Sequence, residues 1–102
     1  MKQQKTYCFD LDDTLCTTKG MDYLKSQPII KRIKEVNNLY KNGHTILIDS
    51  ARGSKTGVCW NNQTKEQLKK WGVKYHQLRC GKKFAADIYI DDKGQNADSW
   101  FN

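Results

Sequence analysis

Three aspartates crowd into four positions near the amino terminus, directly behind an aromatic and apolar run at residues 7–9. Asp10, Asp12 and Asp13 repel one another when all three are ionised, because like charges a few ångströms apart interact unfavourably. A divalent cation with oxygen ligands would offset this repulsion. The spacing therefore indicates metal or acid/base chemistry at this point of the chain.

Four short runs rich in β-branched and aromatic residues are the elements that would position such a site. They occupy residues 6–11, 44–49, 73–78 and 86–91, and each is typical of a strand. The second and fourth runs are apolar on both alternating faces, as in parallel strands that are covered on both sides.

Helical patterns separate these strands. The first helix is expected to be capped by Ser26 or Gln27 and to stop at Gly43, with apolar residues at helical spacing between them. A second, weaker helix is predicted over 62–71 and a short third one over 98–101. The order β-α-β-α-β-β predicts one α/β domain over the whole chain, with three layers, right-handed crossovers and a four-stranded parallel sheet.

Composition limits the function classes. A chain of 102 residues with 37% hydrophobic and 28% charged residues suits a single soluble domain. No apolar run approaches the ~20 residues that span a bilayer, and no signal peptide is expected behind the amino-terminal lysines. No membrane partner is therefore predicted.

The cysteines and the net charge indicate the compartment and the partners. The four cysteines are widely spaced and form no CxxC pair, so neither a zinc site nor a disulfide framework is expected and a reducing cytoplasm is predicted. The net charge of +7 favours anionic partners such as nucleic acid, acidic headgroups or phosphorylated metabolites. The lysines are dispersed, however, which favours a solubilising surface.

Polar residues follow each predicted strand, where an open parallel sheet places its ligand crevice. They are Asp10, Asp12, Ser50, Arg52, Lys82, Asp91 and Asp92. Carboxylates from the first and last strands could share a divalent cation, and the hydroxyl and the cations beside them could bind an anion. The set predicts a site for a metal ion and a phosphate.

Four motifs in this order carry a resemblance that spans nearly the whole chain. FDLDDTL resembles the DxDxT signature of haloacid dehalogenase-like phosphatases, and IDSARG, GKK and YIDDK resemble their second, third and fourth motifs. More narrowly, the chain resembles the small capless members that are often labelled capsular polysaccharide biosynthesis phosphatases. The resemblance implies a capless, Rossmann-like haloacid dehalogenase-like fold.

The resemblance also implies roles for the first two acids. Asp10 would be the nucleophile that forms an aspartyl-phosphate, and Asp12 would protonate the leaving alkoxide and then deprotonate water. A calcium loop is the alternative interpretation of these acids, but Thr14 and Leu15 stand where an EF-hand needs an acid or amide and a glycine.

The ligands of metal and phosphate follow from the same resemblance. Mg²⁺ would be held by the Asp10 carboxylate, the Asp12 backbone carbonyl, and Asp91 or Asp92. Phosphate would be bound by Ser50 and Lys82, and Arg52, which also follows the second strand, is a further candidate for phosphate contact. Two alternatives stay open here: Lys83 for the phosphate lysine, and a structural pair between Arg52 and Asp49.

The function that these observations favour is magnesium-dependent phosphomonoester hydrolysis, with a small ester such as a sugar phosphate as substrate. A nucleic-acid 3′-phosphatase is the second interpretation, and a non-catalytic phosphoacceptor or phosphate-binding domain is the third. The intervals between motifs leave no room for a cap, so an open site is expected, with the loops 16–25 and 53–61 deciding the substrate. The short last helix favours self-association as added support.

Overall fold

The structure is a computed structural model that describes residues 3–54, 56–80, 88–91 and 95–101, with the backbone alone for 89, 91, 95 and 96. Its strands are β1 (Thr6–Asp10), β2 (Cys16–Thr17), β3 (Gln27–Pro28), β4 (Thr45–Ser50), β5 (Gln77–Cys80), β6 (Ile88–Asp91) and β7 (Gln95–Asn96). Its helices are α1 (Ile30–Lys41), α2 (Asn61–Lys70) and α3 (Ala97–Phe101). A 3₁₀ turn occupies Tyr23–Lys25.

The main sheet has the strand order β5-β4-β1-β6-β7, and its described pairs are parallel. Each of the four predicted strands overlaps one of these strands, and a mixed α/β fold is confirmed. The prediction of four strands is incomplete, because the two-residue strand β7 adds a fifth at the edge. A single pair of residues leaves no alternation in the sequence from which such a strand could be recognised.

One face of the sheet carries the main hydrophobic core. Fully buried Phe9 and Ile48 are in register on this face, and they share one cluster with α1 residues Ile33 and Val36 and with α2 residue Leu68. The α3 aromatic residues also pack on this cluster. The described helices thus all contribute to one core, and the predicted three-layer arrangement is not confirmed by the described part of the chain.

The helix ends follow backbone chemistry. Gly43 has φ 92°, and the N–H groups of Gly43 and His44 donate to the carbonyls of Tyr40 and Leu39, which is the Schellman pattern that glycine favours. Gly43 therefore ends α1 as predicted. None of the described helices is long and apolar enough to cross a membrane.

The start of α1 differs from the prediction. The residue that caps the helix is Ile29, not Ser26 or Gln27, and it has no side-chain cap. The segment Gln27–Pro28 is instead strand β3, which pairs antiparallel with β2. Together with the turn between them, β2 and β3 form a flap over residues 16–28. The flap displaces the helix start, because its backbone hydrogen bonds use residues that would otherwise cap the helix.

Arg32 ties the loop after β1 to the last helix. Its guanidinium donates to the Thr14 carbonyl at 3.0 Å, pairs with the Asp98 carboxylate, and lies 5.1 Å from the centre of the Phe101 ring. The Arg32 side chain is only 15% exposed. A single side chain therefore holds α1, α3 and the loop after β1 together.

We expect Arg32→Ala to lower the free energy of unfolding by about 1–2 kcal/mol, because it removes charge-assisted hydrogen bonds and a cation–π contact together. Urea unfolding measures the loss, and Lys31→Ala, at the exposed neighbouring position, is the matched control. Equal losses in the two variants would contradict this role.

Candidate functional site

The sheet brings three of the predicted site positions to one edge. Asp10 ends β1, Ser50 ends β4 and Asp91 ends β6. Because β4 and β6 pair with β1 from opposite sides in parallel, their carboxyl ends flank Asp10. Asp12 lies two residues after Asp10, in the loop that follows β1. At Asp91 only the position of the backbone is described.

Two predicted site residues have no description. Lys82 and Asp92 lie outside the described residues, and so does the alternative phosphate lysine, Lys83. Their predicted roles as phosphate and metal ligands therefore stay predictions.

Asp10 belongs to a cross-strand row of charged residues. It is the register partner of Asp49 on β4, and Asp49 is the register partner of Arg79 on β5. Register partners in parallel strands share a face, so the Arg79 side chain supplies positive charge to the row that contains both carboxylates. Ser50, the next residue along β4, presents its side chain to the opposite face, because successive side chains of a strand alternate. Sequence reasoning did not single out Arg79.

The loop after β1 folds into a tight turn. The carbonyl of Leu11 accepts hydrogen bonds from the N–H groups of Thr14, Leu15 and Cys16. Asp13 has φ 64°, a left-handed conformation that aspartate tolerates better than most residues. Its side chain is exposed and only accepts a long bond from the backbone N–H of Thr18 at 3.4 Å. Asp13 therefore shapes the turn.

Arg52 is the buried centre of the site. Its side chain is fully buried, and it forms a bidentate pair with Asp12, from Nη2 to Oδ1 at 2.8 Å and from Nε to Oδ2 at 3.0 Å. Nη1 donates to Thr64 at 3.2 Å and to Gln67 at 2.6 Å, and Nη2 also donates to Ser26 at 3.4 Å. A guanidinium has five N–H donors, and these bonds use all of them.

This geometry bears on the predicted phosphate-binding role of Arg52. With all its donors directed to protein acceptors, Arg52 has no N–H left for a phosphoryl oxygen in this conformation, so direct phosphate binding would require breaking one of these bonds. The pair considered from the sequence was with Asp49, whereas the pair that the structure forms is with Asp12. The geometry fits an arginine that orients a carboxylate.

Two hydroxyl groups, from Thr18 and Ser26, form a hydrogen-bonded chain that ends on Asp12. The Thr18 hydroxyl donates to Asp12 Oδ1 at 2.6 Å, and the Ser26 hydroxyl lies 2.6 Å from that of Thr18. Because Thr18 donates to the carboxylate, the shared hydrogen bond must run from Ser26 to Thr18. Neither residue was predicted as a site residue, since Ser26 was interpreted as a helix cap and Thr18 carried no motif.

Ser50 is 2% exposed, and its Oγ accepts the backbone N–H of Arg52 at 3.2 Å. It also interacts with the thiol of Cys80, its register partner on β5. Burial raises the pKa of the Cys80 thiol, although hydrogen bonds from Thr64 and Ser50 and the charge of Arg52 act in the opposite direction. The Ser50 hydroxyl thus lies at the strand end as predicted, beside the turn that carries Arg52.

Cys16 touches the site without being a nucleophile in it. Its Sγ lies 3.6 Å from Asp12 Oδ1 and 3.6 Å from the Leu11 carbonyl. Burial raises the pKa of the Cys16 thiol to about 11, so at neutral pH the thiol stays protonated and unreactive. A packing and hydrogen-bonding role fits this thiol.

A magnesium ion at this site would need oxygen ligands that are free to bind it. Both Asp12 oxygens accept bonds from Arg52, so this residue can offer a metal its backbone carbonyl more readily than its carboxylate. Asp10 at the end of β1, with the backbone of Asp91 on the next strand, fits oxygen ligation at the sheet edge. Within the described residues no group of three or more His, Cys, Asp and Glu side chains is arranged to hold a metal.

Comparisons with known proteins agree with this fold. The chain is similar to a target protein from Vibrio cholerae that is known from a crystal structure. The two are 25% identical, and the match covers 96% of this chain and 88% of that protein, with a TM-score of 0.76. The structure of a conserved protein from Bacteroides thetaiotaomicron is also similar. It is 16% identical, and the match covers 97% of this chain and 88% of that protein, with a TM-score of 0.72. No protein-family model matches the chain, and no curated protein matches it. The likeness supports the α/β fold and leaves the function to be argued from the site.

We expect Asp12→Ala to lower the free energy of unfolding by about 3 kcal/mol, because it leaves the buried guanidinium of Arg52 without its counter-charge. Asp12→Asn also removes the counter-charge but keeps one carbonyl acceptor and the side-chain volume, so its loss should be smaller than that of Asp12→Ala. Urea unfolding of both variants measures the difference, with Asp13→Asn as the exposed control. An Asp12→Ala protein as stable as the unsubstituted protein would contradict the importance of the pair.

Proposed function

We propose that the chain is a magnesium-dependent phosphomonoester hydrolase with a haloacid dehalogenase-like fold that acts in the cytoplasm through an aspartyl-phosphate on Asp10. The observation that carries the proposal is the Asp12 carboxylate, which a fully buried Arg52 holds in one orientation two residues after Asp10. A nucleophile and an acid/base group fixed beside it are what two-step phosphoryl transfer requires.

In the first step an Asp10 oxygen attacks phosphorus, and the bond between phosphorus and the leaving oxygen breaks. Asp12 must take up a proton for this step, which weakens its ion pair with Arg52, and it gives that proton to the leaving oxygen. The atom suited to this transfer is Oδ2, because the described structure gives it one bond from Arg52 while Oδ1 accepts from Arg52 and Thr18. A carboxylate oxygen has two acceptor sites, so Oδ2 keeps one for the proton.

In the second step water attacks phosphorus and loses a proton to the Asp12 carboxylate. The bond from phosphorus to the Asp10 oxygen breaks, which releases phosphate and returns Asp10 as a carboxylate and Asp12 as an acid. Ser50 and Lys82 are proposed to bind the phosphoryl oxygens during both steps. Arg52 is proposed to keep Asp12 in place, since its donors are directed to protein acceptors.

The proposed metal ligands are the Asp10 carboxylate, the Asp12 backbone carbonyl and the acids at the end of β6. A magnesium ion at this edge would offset the negative charge of the phosphoryl group and of the carboxylates. The engagement of the Asp12 side chain with Arg52 supports a role for its carbonyl in place of its carboxylate.

A small ester such as a sugar phosphate is the proposed substrate. The interval between β1 and β4 contains the flap and one helix, with no cap domain among the described residues, so the site is open to small esters. The exposed lysines are spread over both α1 and α2, whereas nucleic-acid binding favours one basic stripe with stacking platforms. This distribution supports a single phosphate ester over a nucleic-acid end.

We expect Asp10→Asn to abolish turnover of an aryl phosphate while leaving the fold intact, because the amide has the same shape but is a poor nucleophile. Phosphate release measures turnover, circular dichroism checks the fold, and excess chelator should stop the unsubstituted protein. Full activity in Asp10→Asn, or undiminished activity in chelator, would refute the proposal. One burst of phosphorylation without turnover would favour the phosphoacceptor interpretation.

Asp12→Asn tests the acid/base role separately from stability. With an alkyl ester, whose leaving oxygen needs a proton, we expect turnover to fall by 10²–10⁴-fold. With p-nitrophenyl phosphate, whose leaving group needs none, formation of the aspartyl-phosphate should persist and its breakdown should become limiting, which rapid-quench measurements would detect. Equal losses on both substrates, with no accumulating intermediate, would remove Asp12 from proton transfer.

A further inference from the structure

A cavity of about 350 Å³ lies between the two loops that border the candidate site. The flap contributes Met21 and Tyr23, and the loop between β4 and α2 contributes Gly53, Ser54, Val58 and Trp60. Cavities of this size are typical of sites for small molecules. The two loops expected to decide the substrate thus meet in one concave surface.

The cavity lies beside Arg52, the residue that holds the proposed acid/base carboxylate of Asp12. The ring centre of Tyr23 lies 4.7 Å from the Arg52 guanidinium carbon, and that guanidinium holds Asp12. Gly53 directly follows Arg52 in the chain. An acid that protonates a leaving oxygen must lie next to the leaving group. If Asp12 is that acid, the leaving group lies on the side of the site that Asp12 and Arg52 occupy. The cavity is therefore where a leaving group would lie.

The chemistry of the walls favours an uncharged ring. The described residues that line the cavity include no charged side chain. Tyr23 and Trp60 form an edge-to-face pair, with ring centres 5.0 Å apart, and Met21 and Val58 are 65% and 55% exposed. Aromatic faces of this kind bind flat apolar surfaces by stacking, whereas a charged group there would find no charged partner among the described lining residues to offset its lost hydration.

Gly53 sets the shape of the wall. Its φ is 85°, and a Cβ atom at this position would lie 2.0 Å from the Val58 carbonyl oxygen and 3.2 Å from Trp60 Cδ1. The backbones at Gly53 and at Val58, in the loop between β4 and α2, therefore lie so close together that no side chain would fit at residue 53. This close approach holds Trp60 against Tyr23.

We propose that the cavity formed by Tyr23, Gly53, Val58 and Trp60 binds an uncharged ring in the leaving group of the phosphate ester. The proposal rests on the proposed phosphatase function and names the part of the substrate that this chain selects. Such a ring has two sources, an aromatic ring and the apolar face of a pyranose, and both stack on an indole.

The test compares esters of primary alcohols, whose leaving oxygens have similar intrinsic reactivity. Benzyl phosphate supplies an aromatic ring, glucose 6-phosphate a pyranose, propyl phosphate no ring, and 4-carboxybenzyl phosphate a charged ring. We expect kcat/KM for at least one of the two neutral-ring esters to exceed that for propyl phosphate and for the charged ring by at least about tenfold. Which of the two is preferred identifies the source of the ring.

Variants locate the preference in the cavity. Trp60→Ala should lower kcat/KM for the preferred ring ester about tenfold more than for propyl phosphate, while Trp60→Phe should retain most of the preference. Gln63→Ala, at an exposed position on α2 outside the cavity, is the matched control. Turnover without ring preference, or an equal loss on ring and propyl esters in Trp60→Ala, would overturn the proposal.

Calorimetric binding separates this proposal from the phosphatase function. Benzyl phosphate, glucose 6-phosphate and propyl phosphate are titrated into the unsubstituted protein and into Trp60→Ala. If a ring ester binds more tightly than propyl phosphate and Trp60→Ala removes this difference, the cavity proposal is supported. If, in addition, no ester is turned over, only the phosphatase function fails. Turnover combined with equal binding of all three esters would overturn the cavity proposal and leave the phosphatase function standing.

Discussion

The guanidinium of Arg52 has no contact with solvent, and the candidate site is organised around its charge. Moving such a group out of water costs several kcal/mol unless it is paired and all its donors are bonded. The acceptors come from separate parts of the chain: Asp12 in the loop after β1, Ser26 in the flap, and Thr64 and Gln67 on α2. These segments must therefore reach their positions together, because a missing acceptor would leave a buried N–H unsatisfied.

This arrangement makes one residue serve two purposes. Asp12 is the counter-charge that allows Arg52 to be buried, and it is also the proposed acid/base. The bidentate pair with Arg52 and the hydrogen bond from Thr18 fix the carboxylate before any substrate arrives, so no reorientation is needed during the reaction. A lysine at residue 52 would keep the positive charge but not the planar fork, and it would hold the carboxylate less firmly.

The strands and the strand-end residues were predictable because they depend on local patterns. Alternating apolar residues identify β1 and β4, and adjacent parallel strands must end at a common edge. The pair between Asp12 and Arg52 was not predictable, since the two residues are 40 positions apart and Asp49 offered a nearer carboxylate. Strand alternation turns Asp49 away from the face of Ser50, and the fold shows that Asp49 lies in register with Asp10. Ser26 was misinterpreted because serine before a helical pattern is usually a cap.

The burial of Arg52 also explains why the cavity lies where it does. The Tyr23 ring that covers the guanidinium is the same ring that meets Trp60 and lines the cavity, and Gln67, which binds Arg52, also donates to the Tyr23 carbonyl. In a domain of this size, with no cap among the described residues, the loops that shield the arginine are also the ones that meet the substrate. A change at Tyr23 would therefore alter leaving-group selection and the position of Asp12 together, whereas the nucleophile at the end of β1 depends on the sheet.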